Sequence, residues 1–279
     1  MGIVSKNYLD FLVQKYVLPH KRIRHFARKV HPLTYNKILK KSIFDYMDKS
    51  IDQKKLMVDV GAAYSYRRHW KIMDFSTDHY FFLPGIIDYN FDLTSGKNFP
   101  FKNNSVSFFY SSHTLEHIPV TFCQHIFNEF FRCLKPGGCV RLTMPDFDKA
   151  ANAFEQNNID YFYPYDEPIG ERFLKIFAMH KIGKISNDKI KNDFISMPKE
   201  KFANNYISDV NLSMVKKFGH RLHVNWWNFE KAKLFLQNAG FKEIHQSEPY
   251  KSKFTELQDT KLFDQRHPKL SMYVEAIKK

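Results

Sequence analysis

The chain has 279 residues, 43% of them hydrophobic, and its 43 Lys and Arg against 29 Asp and Glu give a formal net charge of +14. That apolar content excludes a disordered chain, and the length suits one large domain or one core with appendages. The charge is uneven, at +8 in residues 1–50, +1 in 51–150 and +5 in 151–279.

Residues 1–50 read as a basic helical segment. Ile23, Phe26, Ala27 and Val30 recur at helical spacing, with Lys21, Arg22, Arg24, Arg28 and Lys29 around them. This pattern suits a helix packed on the domain, or one adsorbed to an anionic membrane surface or polyanion. No run reaches the ~18–20 apolar residues of a membrane span, and residues 1–10 show no leader pattern. A cytoplasmic protein is expected, with peripheral association at the inner membrane face through residues 1–50 as an option. Cys123, Cys133 and Cys139 are odd in number and lack C-x-x-C spacing, so they are expected to be reduced and buried.

Residues 51–279 read as one α/β domain. Short apolar runs at Leu56–Val60, His69–Asp74, Ile86–Leu93, Val106–Tyr110 and Cys139–Met144 alternate with helical pattern, which predicts a parallel sheet with helices on its faces. Phe122–Leu134 predicts a helix, ended by Lys135-Pro136-Gly137-Gly138. Residues 150–220, rich in Lys, Asn and aromatics and broken by prolines, predict a helical or loop-rich insertion on the substrate side. Within it, Tyr161-Phe162-Tyr163-Pro164-Tyr165 either lines a pocket or packs under a loop. A helix at Phe229–Asn238, a strand at Phe241–Gln246 and a last strand at Leu270–Ile277 complete the domain.

Ligands of open parallel sheets bind beyond the carboxyl ends of the strands. Val58-Asp59-Val60-Gly61-Ala62-Ala63 ends a strand in a small-residue turn. Only one glycine is present where a pyrophosphate cradle would need three, so the turn suits a nucleoside ligand without phosphates. Asp74 and Asp92 fall at the next two strand tips, placed to bind ribose hydroxyls and to orient an adenine amino group. Asp88 is the second candidate for the ribose. Any one of these acids could equally be a turn or cap residue.

Several blocks together resemble class I S-adenosylmethionine-dependent methyltransferases, most closely the small-molecule and sugar-pathway branch. They are Lys54–Gly61, Trp70–Asp74, Asp92-Leu93 before Phe99-Pro100-Phe101, Ser111-Ser112-His113-Thr114-Leu115-Glu116-His117-Ile118, and Leu134-Lys135-Pro136-Gly137-Gly138. The resemblance implies a Rossmann-like seven-stranded, mostly parallel sheet with an antiparallel last strand, and S-adenosyl-L-methionine as cofactor. It implies a cofactor site of Asp59, Gly61, Ala62, Ala63, Asp74, Asp92, Leu93, Ser112 and His113. Two departures stand out: Ala63 replaces the second glycine, and Tyr64–Lys71 is short for a full first helix.

His113 follows the fourth strand, where the transferred methyl should lie, and suits a general base for a hydroxyl acceptor. Glu116 and His117 are its catalytic neighbours, with His117 at i+4 on the same predicted helix face. The same three residues could hold a divalent metal, with His220 or His223 as a fourth ligand, although no metal is expected. The bland alternative is that this block only packs and caps. Asp146, His223 and Tyr163 are the candidate substrate-binding residues, the first two equally readable as turn or capping residues. The expected activity is methyl transfer to a small polar acceptor, favoured as a hydroxyl of a sugar or cell-surface glycan precursor. An RNA-directed methyltransferase and a catalytically silent partner subunit are the alternatives, and no specific nucleic acid partner is expected.

Overall fold

The computed structural model describes residues 55–62, 67, 69–75, 87–162, 166–218 and 221–279. The basic segment 1–50, and with it the membrane-docking expectation, lies outside them.

Seven strands form one sheet: β1 (Met57–Val60), β2 (Trp70–Asp74), β3 (Tyr89–Asn90), β4 (Val106–Ser112), β5 (Leu134–Pro145), β6 (Glu243–Ser247) and β7 (Ser271–Ile277). Their spatial order is β3-β2-β1-β4-β5-β7-β6. β1 pairs in parallel with β2 and β4, β2 with β3, and β4 with β5, whereas β7 runs antiparallel to both β5 and β6. The sheet is the Rossmann-like, seven-stranded one that the sequence resemblance implied. Central strands such as Met57-Val58-Asp59-Val60 are buried along their whole length, as expected of a parallel strand covered on both faces. After β1 the chain winds outward through β2 and β3, then returns to lay β4 on the other side of β1. This reversal leaves a crevice beyond the carboxyl ends of β1 and β4.

One face carries α1 (Val120–Cys133) and α2 (Phe229–Ala239). Ile126, Phe127 and Phe130 of α1 and Leu236 of α2 meet Val58, Val60, Phe109 and Val140 of the sheet, together with Trp227. Each such side chain contributes roughly 1.5–3 kcal/mol by burial. After Cys133 the chain passes directly into β5, since Leu134 already pairs with Val106. A methyl at Gly138 would meet the Ser107 carbonyl oxygen at 2.8 Å, so the glycine permits the close strand approach rather than only ending the helix.

The opposite face, with Met57, Trp70, Phe108, Tyr110 and Cys139, is covered by Leu257 and Phe263 from the β6–β7 connection. That connection also supplies the acid of a buried ion network. Arg141 of β5 donates to Asp264 at 2.6 Å and to Glu275 of β7 at 2.8 Å, and all three side chains are fully buried. Charges so placed persist because each is paired and hydrogen-bonded.

Residues 147–218 fold as helices: α3 (Phe147–Glu155), α4 (Ile169–Phe177), α5 (Asn187–Ser196), α6 (Lys199–Ile207) and α7 (Leu212–Phe218). They enclose a second core in which Phe173 lies between Phe154 and Phe202, both stacked on it. Phe147, just beyond β5, and Trp226 tie this lobe to the sheet.

Two expected strands shift. The run Ile86–Leu93 contributes only Tyr89–Asn90, because Asp92 and Thr94 form a turn of their own. The strand expected at Phe241–Gln246 is Glu243–Ser247, since Phe241 closes the end of α2 by donating to the Leu236 carbonyl. The three cysteines are unpaired and buried.

Candidate active site at the carboxyl edge of the sheet

Gly61 turns out of β1 with φ +69, its N–H donating to the Met73 carbonyl at 2.9 Å. Thr114 sits against it, with Oγ1 3.3 Å from the carbonyl oxygens of both Val60 and Gly61. Ala62 is buried, and its carbonyl is 3.4 Å from Nη2 of Arg266. Ala63 lies outside the described residues. Asp59 does not face the crevice. Strand alternation turns it to the opposite face, where it pairs with Arg67, whose guanidinium lies 4.4 Å from the Tyr110 ring centroid. Burial holds its carboxyl above the ordinary range despite the pull of Arg67 and Arg266. Asp59 therefore stands behind the turn as a buttress, a correction to its expected contact with cofactor.

Asp74 ends β2 and accepts from the Phe75 N–H at 2.7 Å. Asp92 accepts from the Thr94 N–H and hydroxyl through one oxygen, and its side chain remains half-buried. Both lie at the carboxyl edge, as does Leu93, half-buried against the main core. Asp88 sits at the amino start of β3, bonded to the Ile72 N–H and Lys71 Nζ. It is at the wrong end of the strand for the ribose role. Ser112 is buried and shares a hydrogen bond with Thr143 of β5.

Beyond β4 the chain makes a single tight turn, Leu115–His117, in place of the expected α-helix. His113 adopts φ +52, which breaks the helical path before the turn. Its Nε2 is 2.8 Å from Ser271 Oγ and its Nδ1 is 3.1 Å from Glu116 Oε1. Ser271 donates its one hydroxyl proton to the His267 carbonyl at 2.9 Å, so its oxygen accepts from Nε2. The strap thus engages Nε2 of His113, and its Nδ1 faces the Glu116 carboxylate.

Glu116 is fully buried, and neither carboxylate oxygen has an aligned hydrogen bond among the described residues. Burial alone would raise its carboxyl, but His113, His117 and His223 together hold it down at about 2. His117 Nδ1 donates to the Leu222 carbonyl at 3.0 Å, and His223 Nδ1 to the Ile176 carbonyl at 3.2 Å. Their rings meet edge-on with centroids 4.8 Å apart. Burial pushes His117 down to about 4 and lowers His223 as well, so both are neutral near pH 7. The loop carrying His223 is tethered to this turn: the Val224 and Asn225 N–H groups both donate to the Glu116 carbonyl.

Asp146 takes the capping role that was the alternative to substrate binding: its Oδ1 accepts from the Asp148 and Lys149 N–H groups, and its Oδ2 lies 3.2 Å from Lys149 Nζ. Tyr163, the other residue expected there, and His220 lie outside the described residues. Residues 78–142 match the profile of a methyltransferase domain.

The chain thus carries a methyltransferase-domain match over that stretch. Among solved structures, the chain is similar to an S-adenosylmethionine-dependent methyltransferase from Methanosarcina mazei (12% identity, TM-score 0.42, covering 89% of this chain and 98% of that one). It is also similar to phosphoethanolamine N-methyltransferase 2 of Haemonchus contortus in complex with S-adenosyl-L-methionine (14%, TM-score 0.39, 99% and 60%). A candidate O-methyltransferase of Nostoc punctiforme matches at 10% identity and TM-score 0.35, covering 82% of this chain, which spans only 53% of that one. No curated protein sequence matches.

The residues present suit S-adenosyl-L-methionine, the cofactor that the sequence resemblance implies. A turn through glycine lets backbone approach the ligand, and half-buried carboxylates at two neighbouring strand tips suit ribose and adenine donors. Sequence reasoning missed Thr114 as the side chain against Gly61, and missed the strap bearing Arg266, His267 and Ser271. The His267 ring packs edge-on against His113 with centroids 5.2 Å apart. A histidine pair of this separation, 154 positions apart in the chain, leaves no local pattern; only the polar Ser271 opening an apolar strand hinted at it.

Proposed function

We propose that the chain is an S-adenosylmethionine-dependent methyltransferase that methylates a hydroxyl of a small polar acceptor, a sugar or cell-surface glycan precursor. The observation that carries this reading is the pair of neutral histidines, His117 and His223, beside the strand tips. Each gives its Nδ1 proton to a backbone carbonyl and so keeps an Nε2 lone pair. A hydroxyl must lose its proton as its oxygen displaces the sulfonium, whereas an unprotonated amine attacks through a lone pair it already has. In-line displacement otherwise needs mainly alignment of acceptor and donor. The helical lobe of residues 147–218, joined to the carboxyl end of β5 through Asp146, supports a bounded acceptor site of this kind. The net charge of +14 favours phosphorylated or nucleotide-linked acceptors by steering anions.

Residues 1–50 are proposed to dock the enzyme at an anionic membrane surface, which their +8 charge supports. No helix among the described residues is long and apolar enough to cross a membrane. The test of the acceptor reading is a screen of sugar nucleotides, phosphosugars, amines and RNA for methyl transfer from labelled S-adenosylmethionine. An O-methyl sugar is the expected product, and turnover confined to amines or RNA overturns the assignment.

A further inference from the structure

Around Glu116 the fold gathers more than an acceptor base requires. Ligand-capable atoms of Glu116, His117 and His223 all lie within 4.8 Å of one another. Glu116 is wholly buried and both its oxygens lack an aligned hydrogen bond. A carboxylate in that position is costly unless something positive meets it. His113 approaches one oxygen at 3.1 Å and His223 Nε2 stands 3.9 Å from the same atom.

The tautomers are decided by backbone carbonyls. Leu222 O and Ile176 O can only accept, so each takes the Nδ1 proton of its histidine. The two Nε2 lone pairs are left beside the carboxylate, and two lone pairs and an anion repel one another. A histidine whose remote N–H is held by a backbone carbonyl is the outer-shell arrangement that orients metal-ligating imidazoles. The supports are rigid. Asn225 donates to the Ile118 carbonyl at 3.2 Å, and Lys231 donates to Asn225 Oδ1 and the Trp226 carbonyl at 2.9 Å each.

We propose that Glu116, His117 and His223 bind one divalent transition-metal ion, with His113 and Ser271 orienting the Glu116 carboxylate from behind. Two imidazoles and one carboxylate suit zinc, cobalt or ferrous iron, and three protein donors leave coordination positions open for oxygen ligands. The site rests on the acceptor reading above and changes how it would work: with the His117 and His223 lone pairs on the ion, the cation, not a free imidazole, would acidify a hydroxyl bound to it. It also revises the ligand set read from sequence: His113 moves behind the carboxylate and His223 takes its place among the ligands.

Cobalt(II) serves as the probe, titrated into the chelator-treated full chain and followed by its visible absorption. One equivalent should bind, be displaced by zinc, and bind at least about tenfold more weakly in Glu116→Gln and in His223→Gln. Absence of a cobalt spectrum in the wild type, or equal affinity in a folded variant, overturns the proposal. Should Glu116→Gln fail to fold, His223→Gln, at a partly exposed ring on a loop, decides the matter alone. Calorimetric binding of S-adenosylmethionine to the chelated protein separates the two ideas. Cofactor binding without cobalt binding removes the metal only, and cobalt binding with methyl transfer solely to amines removes the hydroxyl acceptor only.

Discussion

Replacing Gly61 by alanine probes the contact on which the cofactor turn is built. The added Cβ would lie 2.2 Å from Thr114 Oγ1 and 2.3 Å from its Cγ2, at a residue whose φ is +69. The left-handed backbone costs an L-residue roughly 1–2 kcal/mol, and overpacking of this severity roughly 1–3 kcal/mol more. A loss of about 2–5 kcal/mol follows, which at about 2–4 °C per kcal/mol lowers the melting temperature by roughly 5–20 °C. The Thr114→Ala change removes both clashing atoms and leaves Cβ at 2.8 Å, so Gly61→Ala with Thr114→Ala should regain part of the overlap cost and none of the backbone cost. Thermal unfolding of the four proteins in the cycle measures the coupling, and calorimetry with S-adenosylmethionine reads the turn directly. Additive effects within ~0.5 kcal/mol, or a single Gly61→Ala variant as stable as wild type, would refute the assigned contact.

Asp74→Asn and Asp92→Asn should each weaken S-adenosylmethionine binding about tenfold or more, whereas Asp88→Asn, at the amino start of β3, should leave it within about twofold; calorimetry tests all three. Arg141→Met leaves Asp264 and Glu275 facing each other without a cation, and should cost about 3–5 kcal/mol in chemical denaturation. In metal-free protein, His117 titrates at about 4 when folded and 6.5 when free. Between those values the unfolded chain binds a proton that the fold refuses, so stability falls as pH drops from 6.5 to 4. Glu116, held at about 2 against an ordinary 4.5, extends the loss from pH 4.5 down to 2. The part-exposed His117 ring accounts for about 1–3 kcal/mol, and His117→Gln should flatten the upper limb of denaturation midpoints measured against pH.

The fold was legible because its signals are local. Strand runs such as Met57–Val60 are apolar throughout, and α2 carries its cap Asn228 and its terminal Gly240 in plain view. The site was legible only in part, for a physical reason. Gly61, Asp74 and Asp92 follow strand ends directly, so placing the strands places them. His113 does not, because its positive φ diverts the chain before a helix can form, and i, i+4 spacing then carries no meaning. Asp59 and Asp146 mislead in the opposite way, since an acid at a strand end reads alike whether it faces the crevice, pairs behind it with Arg67, or caps the next helix. The Arg141 network was invisible because its partners stand 123 and 134 positions away.

β7, the last of the described strands, lies inside the sheet, between β5 and β6. During synthesis, then, β5 leaves the ribosome with one edge unsatisfied and must wait for residues 271–277 before its ladder can close, while β6 has no neighbour at all until then. Assembly of this half of the sheet therefore waits for residues 271–277, when its most distant contacts form together. A chain halted before residue 271 would expose the β5 edge and leave Arg141 without Glu275, which makes premature termination here a route to aggregation rather than to a shortened enzyme.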